Sequence, residues 1–295
     1  MFVNGCGCSI VVKTSHTEMD VPFSDETLRE AVSFLQEEPS IEGDGVCRCI
    51  KKSNGVTGCV VTPLTIETAP LLLCLAMGAA ASPVYVSETR NLFKHNISLL
   101  PMEDTNSFDL IQDRGMERRL YEGCKVEGFE LRIMRGEAVK LKLEIYGTEC
   151  QTSEMSGTGV ANDATHVGYR AVSERFNGDN VAYKINEKEF SNIYGITLMS
   201  KKQGGTNTEL LIKRALQHGG DIPAVIDEMV ITAQLLRDSY ENRHYGVFRI
   251  TIKKMLRMSD ETEITATDTV IGPVRYYVAG TVATEVFTST GEQLQ

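Results

Sequence analysis

The sequence contains no tryptophan and none of the common signatures of catalytic or nucleotide-binding sites. Gly-x-Gly-x-x-Gly, P-loop and Gly-x-Ser-x-Gly sequences are missing, and no two histidines have the spacing of a zinc-binding helix. A Cys–His dyad such as Cys124 with His95 could form in space, but many such pairs would arise by chance. We therefore expect no enzymatic activity and assign no catalytic residue. The histidines are scattered along the chain, at His16, His95, His166, His218 and His244.

Basic residues are in deficit, and no apolar run is long. The 295-residue chain carries a formal net charge of −10, which argues against a surface that holds DNA tightly, because phosphate neutralisation needs an excess of Lys and Arg. The longest apolar stretch, Ala69–Ala81, is too short to cross a bilayer. Met1–Gly5 has no basic region before an apolar core, so we expect no secretory signal, no membrane partner and synthesis in the cytoplasm.

Eight cysteines are present, but no Cys-x-x-Cys spacing occurs. Two Cys-x-Cys pairs exist, whereas structural zinc sites usually place two to four residues between their cysteines. The other cysteines are interpreted as small buried residues, as for Cys74 in an apolar helix and Cys124 at the start of a strand. We assign no metal ligand and no cofactor. A cytoplasmic thiol or metal-binding protein that uses the pairs Cys6, Cys8 and Cys47, Cys49 remains an alternative.

The clearest positive pattern is one long β-hairpin over Tyr121–Thr148. Apolar and charged residues alternate on both arms, which is typical of antiparallel strands with one buried face. The turn is predicted at Arg135-Gly136-Glu137. The apolar positions are Phe129, Leu131, Ile133, Val139, Leu141, Leu143 and Ile145.

Further strands and two or three helices are predicted around this hairpin. The fold class is therefore mainly β with a few helices, an antiparallel β-barrel or a two-sheet sandwich. The chain is treated as one domain over residues 1–295. Strands are predicted at Ser9–Lys13, Gly58–Leu64, Asn91–Leu100, Ser107–Gln112, Asn180–Ile185, Glu189–Ser200, Val225–Leu236, Tyr245–Met255 and Arg275–Thr288.

Three segments carry helix signals. Ser24 followed by acidic residues and a 3–4 apolar spacing predicts an amphipathic helix over Asp25–Glu37. The segment Ala69–Met77 is apolar on nearly every side, which predicts a buried helix. A capping box from Thr206 to Glu209 predicts a third helix that ends near His218.

The segment Glu149–Ala164 is poor in large apolar residues. It is interpreted as a mobile loop within the domain.

The hairpin sequence resembles the central hairpin of tailed-phage tail tube proteins. The resemblance rests on a lead-in ending in Asp113-Arg-Gly, a Tyr-x-Gly-Cys-Lys-Val strand from Tyr121, a Gly-Glu-x-Val-Lys-Leu strand from Gly136 and a closing Tyr-Gly. Upstream, Thr62-Pro-Leu and the apolar run from Pro70 to Gly78 resemble the short helix before that hairpin. The strands after Val181 resemble the second half of the family.

The resemblance implies a structural protein of the virion tail. Six copies would close into a ring, the inner sheets of neighbouring copies would continue into one large β-barrel, and stacked rings would form the channel for the genome. The implied partners are further copies of the chain, other tail proteins such as initiator, terminator or sheath, and DNA in transit without sequence-specific binding. A related baseplate, tail-end or contractile-secretion tube protein is the alternative of the same class.

Overall fold

A computed structural model describes most of the chain as antiparallel β-structure. It describes residues 8–15, 17–36, 49–80, 84–87, 92–114, 117–154, 175–202, 207–214, 225–236, 245–257, 263–267, 270–271 and 274–279. The strands are β1 Ser9–Lys13, β2 Glu18–Val21, β3 Asp25–Glu26, β4 Arg29–Gln36, β5 Cys49–Pro63, β6 Gly78–Ala80, β7 Val84–Ser87, β8 Leu92–Leu99, β9 Phe108–Asp113, β10 Glu117–Met134, β11 Lys140–Gly147, β12 Glu149–Glu154, β13 Val181–Ile185, β14 Lys188–Glu189, β15 Ile193–Lys201, β16 Asn207–Arg214, β17 Val225–Leu236, β18 Tyr245–Arg257, β19 Glu263–Thr267, β20 Val270–Ile271 and β21 Val274–Ala279.

The predicted hairpin is confirmed. Strands β10 and β11 pair with Phe129 opposite Leu143 and Leu131 opposite Leu141, so these apolar side chains share one face, where all four are buried. The turn lies at the predicted place, and Gly136 has φ of 77°, a backbone conformation that glycine adopts without a steric penalty.

Two sheets share β10. The first has the order β2–β1–β9–β10–β12 and uses the N-terminal half of β10. In the second, the C-terminal half of β10 lies between β11 and β15, β11 leads to β5, and β15 leads through β16 and β19 to β18. From β18 the sheet continues through β17 to β13 on one side and through β21 to β8 on the other.

The described strand pairings never return to their starting strand. The arrangement is therefore sandwich-like, and of the two predicted architectures the sandwich is the one formed. One buried core joins the layers. Phe176 lies at the junction: its amide donates to the Leu64 carbonyl oxygen over 2.9 Å, while its ring meets Phe248 of β18 edge to face at 5.0 Å. Such an edge-to-face contact favours one relative orientation of the two rings, in addition to the free energy gained by burying them.

One of the three predicted helices is confirmed. The helix α1 spans Ala69–Met77, and most of its side chains are buried against the core, as its apolar composition predicts. Among the described residues the only other helical segments are single 3₁₀ turns at Met102–Asp104 and Gly178–Asn180.

The predicted helix over Asp25–Glu37 is wrong as far as it is described. Asp25–Glu26 and Arg29–Gln36 are strands that pair with β5, and Glu37 lies outside the described residues. The Ser24 amide donates to the Val61 carbonyl oxygen over 2.8 Å instead of beginning a helix. The edge of β5 offers this segment a full set of backbone hydrogen bonds, which outweighs its local helix preference.

The helix predicted from the capping box is also wrong. Asn207–Arg214 is strand β16, paired with β15 and β19. Thr208, Leu210 and Ile212 are buried, so the segment follows a two-residue period that the capping box obscured. Thr206 and His218 lie outside the described residues.

The predicted loop Glu149–Ala164 begins as a strand. Glu149–Glu154 forms β12 at the edge of the first sheet, because backbone pairing with β10 does not require large apolar side chains. Residues 155–164 lie outside the described part of the chain, as do residues 280–288 of the last predicted strand. A tight hairpin joins β13 and β14, and its turn residues Asn186 and Glu187 both have positive φ.

The hairpin register predicts unequal effects of two neighbouring substitutions. Leu143 is 3% exposed, so Leu143→Ala should lower the free energy of unfolding by about 2–5 kcal/mol. Lys142 points to the opposite face, so Lys142→Ala should cost less than about 0.5 kcal/mol. Urea unfolding followed by circular dichroism measures both. Equal losses would contradict the register.

Candidate functional site

The outer face of the second sheet is a mixed charged and apolar surface. Across neighbouring strands, Lys142 lies between Val61 and Glu130, and the same row continues to Met199 and Glu209. Val61 and Met199 are half-buried beside these charges. The row carries one lysine and two glutamates, so it is not a basic DNA-binding surface. It is a wide, ordered surface on which another protein surface could pack.

Ion pairs hold the long side chains of this face in place. Lys142 Nζ lies 3.3 Å from Glu144 Oε1 on the same strand. Partial burial acts to lower the pKa of Lys142, but the hydrogen bond and negative charge of Glu144 raise it overall. Arg132 makes a longer contact, 3.5 Å, with Glu137 at the turn. Both pairs remain largely accessible to solvent, so they orient side chains more than they stabilise the fold.

The edges of the first sheet carry acidic residues. Among the described strands, β2 pairs only with β1 and β12 pairs only with β10. Edge strands present unpaired backbone groups that can receive a strand of another chain. Strand β2 carries Glu18 and Asp20, and β12 begins at Glu149, directly opposite Glu122. Because like charges repel, two such edges should meet more readily when salt screens them.

Within the described residues, the cysteines do not come together to form a metal site. Cys59, Cys74, Cys124 and Cys150 are free thiols, as is the exposed Cys8. In the described part of the chain, no three metal-ligating side chains form a cluster. Cys6 and Cys47 lie outside that part, and Cys49 begins β5.

The backbones of Cys124 and His95, the pair named from the sequence, lie in different sheets. Cys124 pairs with Phe108 in the first sheet, whereas His95 lies on β8 of the second sheet. Burial raises the pKa of the Cys124 thiol to about 12, so it stays protonated and is a poor nucleophile. The other four histidines lie outside the described residues.

The fully buried lysine Lys202 was not predicted from the sequence. Lys202 is 0% exposed, and its Nζ has no hydrogen-bond partner among the described residues. Its backbone amide donates to the Glu127 carbonyl oxygen over 2.7 Å, which fixes it beside an irregularity in β10. The inward direction follows from the strand period: Ser200 is buried, Lys201 is exposed and Lys202 is buried again. The two-residue period of β15, continued to Lys202, predicts this inward direction from the sequence.

Lys202 interacts electrostatically with the Cys74 thiol of α1. Burial lowers the pKa of Lys202 to about 8, while the Cys74 charge acts to raise it. Burial likewise raises the pKa of Cys74 to about 11, and Lys202 acts to lower it. Near neutral pH the thiol therefore stays protonated and the amine carries an uncompensated charge, which destabilises the fold. The pair does not have the activated thiolate of a catalytic cysteine.

No protein-family model matches the sequence, and no curated protein sequence is significantly similar to it. Within the described residues, no helix has the length and apolar character needed to cross a membrane.

The buried amine predicts a stability that depends on pH. The folded pKa of Lys202, about 8, lies below its ordinary value of 10.5, so the unfolded state binds more protons between these values and stability rises with pH there. Lys202→Met should therefore raise the free energy of unfolding at pH 7, by up to about 3 kcal/mol if the whole shift is expressed. This advantage should disappear by about pH 10.5.

Urea unfolding at pH 7, 8, 9 and 10.5 measures the difference between wild type and variant. Subtracting the wild-type free energy of unfolding from that of the variant reduces the contribution of Cys74. That contribution has the opposite sign to the one from Lys202, because the raised pKa of Cys74 makes stability fall from pH 9 to about 11. Lys201→Met is the matched control, because Lys201 is exposed and its replacement should change little at any pH. A gain at pH 7 that persists unchanged at pH 10.5 would contradict the buried cation.

Proposed function

We propose that this protein is a tail tube subunit of a tailed phage or prophage, a structural protein that self-assembles into stacked hexameric rings. The observation that carries the proposal is the β10–β11 hairpin, which bears the sequence resembling that family and lies in the interior of a large antiparallel sheet. Its turn and register are those that the residue pattern predicts. The proposed place of action is the virion tail, after synthesis in the host cytoplasm.

The surface chemistry supports assembly rather than catalysis. The described part of the chain offers a mixed outer sheet face and uncovered edge strands at β2 and β12. Joining such edges between copies would remove the exposed backbone groups that otherwise promote aggregation. The net charge of −10 suits a channel that DNA crosses without sticking. Other tail proteins would begin and end the tube, and DNA would be a partner only in transit.

Imaging of the purified protein tests the proposal. Negative-stain electron microscopy at high protein concentration should show rings with sixfold symmetry or tubes of stacked rings. Because the edges of the first sheet are acidic, assembly followed by sedimentation velocity should increase between low and high sodium chloride. The proposal would be contradicted if the protein stayed monomeric under all conditions, including after preformed tube ends are added to start assembly.

A charge change at one edge sharpens the experiment. Glu149→Lys places a cation on β12, so it should favour pairing with an acidic edge of another copy and promote assembly at low salt. Glu137→Lys makes the same charge change at the hairpin turn, away from β2 and β12, and serves as the control. Equal behaviour of the two variants would show that net charge alone governs association. Rings that never stack would favour the baseplate or tail-end alternative.

A further inference from the structure

Two buried polar side chains behind the turn of the central hairpin have unused hydrogen-bonding groups. Tyr183 of β13 is 4% exposed and Asn192, just before β15, is 5% exposed. Neither Tyr183 Oη nor Asn192 Nδ2 has a hydrogen-bond partner among the described residues. Buried polar groups are nearly always paired, because an unpaired one keeps its full desolvation cost.

Tyr183 and Asn192 lie on opposite arms of one hairpin, and both side chains point to its inner side. The Phe190 amide donates to the Tyr183 carbonyl oxygen over 3.0 Å, which extends the pairing of β13 and β14 by one step. Ala182 and Ser191 are exposed, whereas Tyr183 and Asn192 are buried. The alternation therefore directs the phenol and the amide to the inner side of this segment.

The Arg135 guanidinium contacts the backbone of this segment at Ser191, next to Asn192. The Arg135 amide donates to the Tyr194 carbonyl oxygen over 3.0 Å, and its Nη2 donates to the Ser191 carbonyl oxygen over 3.1 Å. Burial raises the pKa of Tyr183 to about 12, while the positive charge of Arg135 acts to lower it. The phenol is therefore a protonated donor within electrostatic range of the guanidinium. Arg135 also retains further N–H donors, since one contact uses only part of its fork.

The nearby carboxylates of the chain already have partners. Asp179 Oδ1 accepts the Gly136 amide over 2.9 Å, and Glu137 Oε1 faces Arg132. The unused groups at this place are thus a phenol O–H, an amide N–H and guanidinium N–H groups. A ligand that complements them must be rich in acceptors and negatively charged. An ionised carboxylate has two oxygens, only accepts hydrogen bonds and matches the arginine fork.

We propose that Arg135, Tyr183 and Asn192 form a carboxylate-binding site behind the turn of the central hairpin. The carboxylate can belong to a small organic acid or to an acidic side chain of a second copy of this chain, whose net charge is −10. Tyr194, whose carbonyl oxygen accepts the Arg135 amide, has an exposed ring that is 45% accessible. Tyrosine and arginine are the side chains most often found at the centres of interfaces.

Nuclear magnetic resonance of the dilute protein tests binding of the small ligand. The probe is sodium acetate, with sodium chloride at equal ionic strength as the salt control. The Asn192 side-chain amide signal, assigned by its loss in Asn192→Ser, should shift saturably with acetate and remain in place with chloride. Arg135→Gln should abolish the shift, and Tyr183→Phe should weaken acetate binding at least tenfold.

Two comparisons separate binding from a purely structural role. Tyr183→Phe removes only an unpaired buried hydroxyl, so the free protein should keep or slightly raise its melting temperature while losing acetate affinity. Arg132→Gln changes another arginine of the same hairpin, 49% exposed and paired with Glu137, and should leave acetate binding unchanged. A large fall in melting temperature for Tyr183→Phe would show that its hydroxyl serves the fold.

Sedimentation velocity tests the second source of the carboxylate. If a second copy supplies it, self-association should fall in Arg135→Gln, remain in Arg132→Gln and be competed by acetate. If only a small acid binds, the acetate shift should appear while self-association of Arg135→Gln equals that of wild type. Absence of an acetate shift together with unchanged self-association of Arg135→Gln would overturn the site, whether or not the wild-type protein forms rings.

Discussion

The shared strand β10 is the constraint on which the rest of the described structure depends. Its 18 residues run through both sheets, with β9 and β12 on its N-terminal half and β11 and β15 on its C-terminal half. Gly123, at φ of 60°, marks the irregularity between the halves, and its amide donates to Asp109 Oδ1 over 3.1 Å. A side chain there would collide with Thr148. The passage from one sheet to the other thus takes place within one strand.

The opposite layer is tied to this strand through the short segment around Phe176. Its backbone bonds to Leu64 and Val139 beside the hairpin, and its ring packs on Phe248. The same core encloses Lys202 and carries Tyr183 and Asn192 at its margin. In the described part of the chain, these are three of the five residues that hold a buried polar atom without a hydrogen-bond partner. Such groups reduce the stability of the free protein. The carboxylate-binding proposal concerns two of them, Tyr183 and Asn192.

Much of the fold, and less of the candidate site, follows from the sequence. The hairpin, β1, β17 and α1 were predicted at or near their observed bounds, because long apolar patterns of period two or uniform apolarity are strong local signals. The helices predicted at Asp25–Glu37 and after Thr206 failed, since short capping patterns carry about 1 kcal/mol and a neighbouring strand edge offers a whole ladder of hydrogen bonds. No sequence pattern pointed to Tyr183 and Asn192, because they are distinguished by polar atoms that lack hydrogen-bond partners in the described structure.

The sequence by itself determined that the chain is mainly β, that the hairpin turns at Gly136, and which of its side chains face inward. These features depend on residue spacing along one strand or one turn. Only the tertiary structure decided that the sheets form a sandwich, that β10 serves both of them, and that Arg135 reaches the Ser191 carbonyl oxygen. Such features depend on contacts between residues far apart in the chain, and the free energy of those contacts is not encoded in any local pattern.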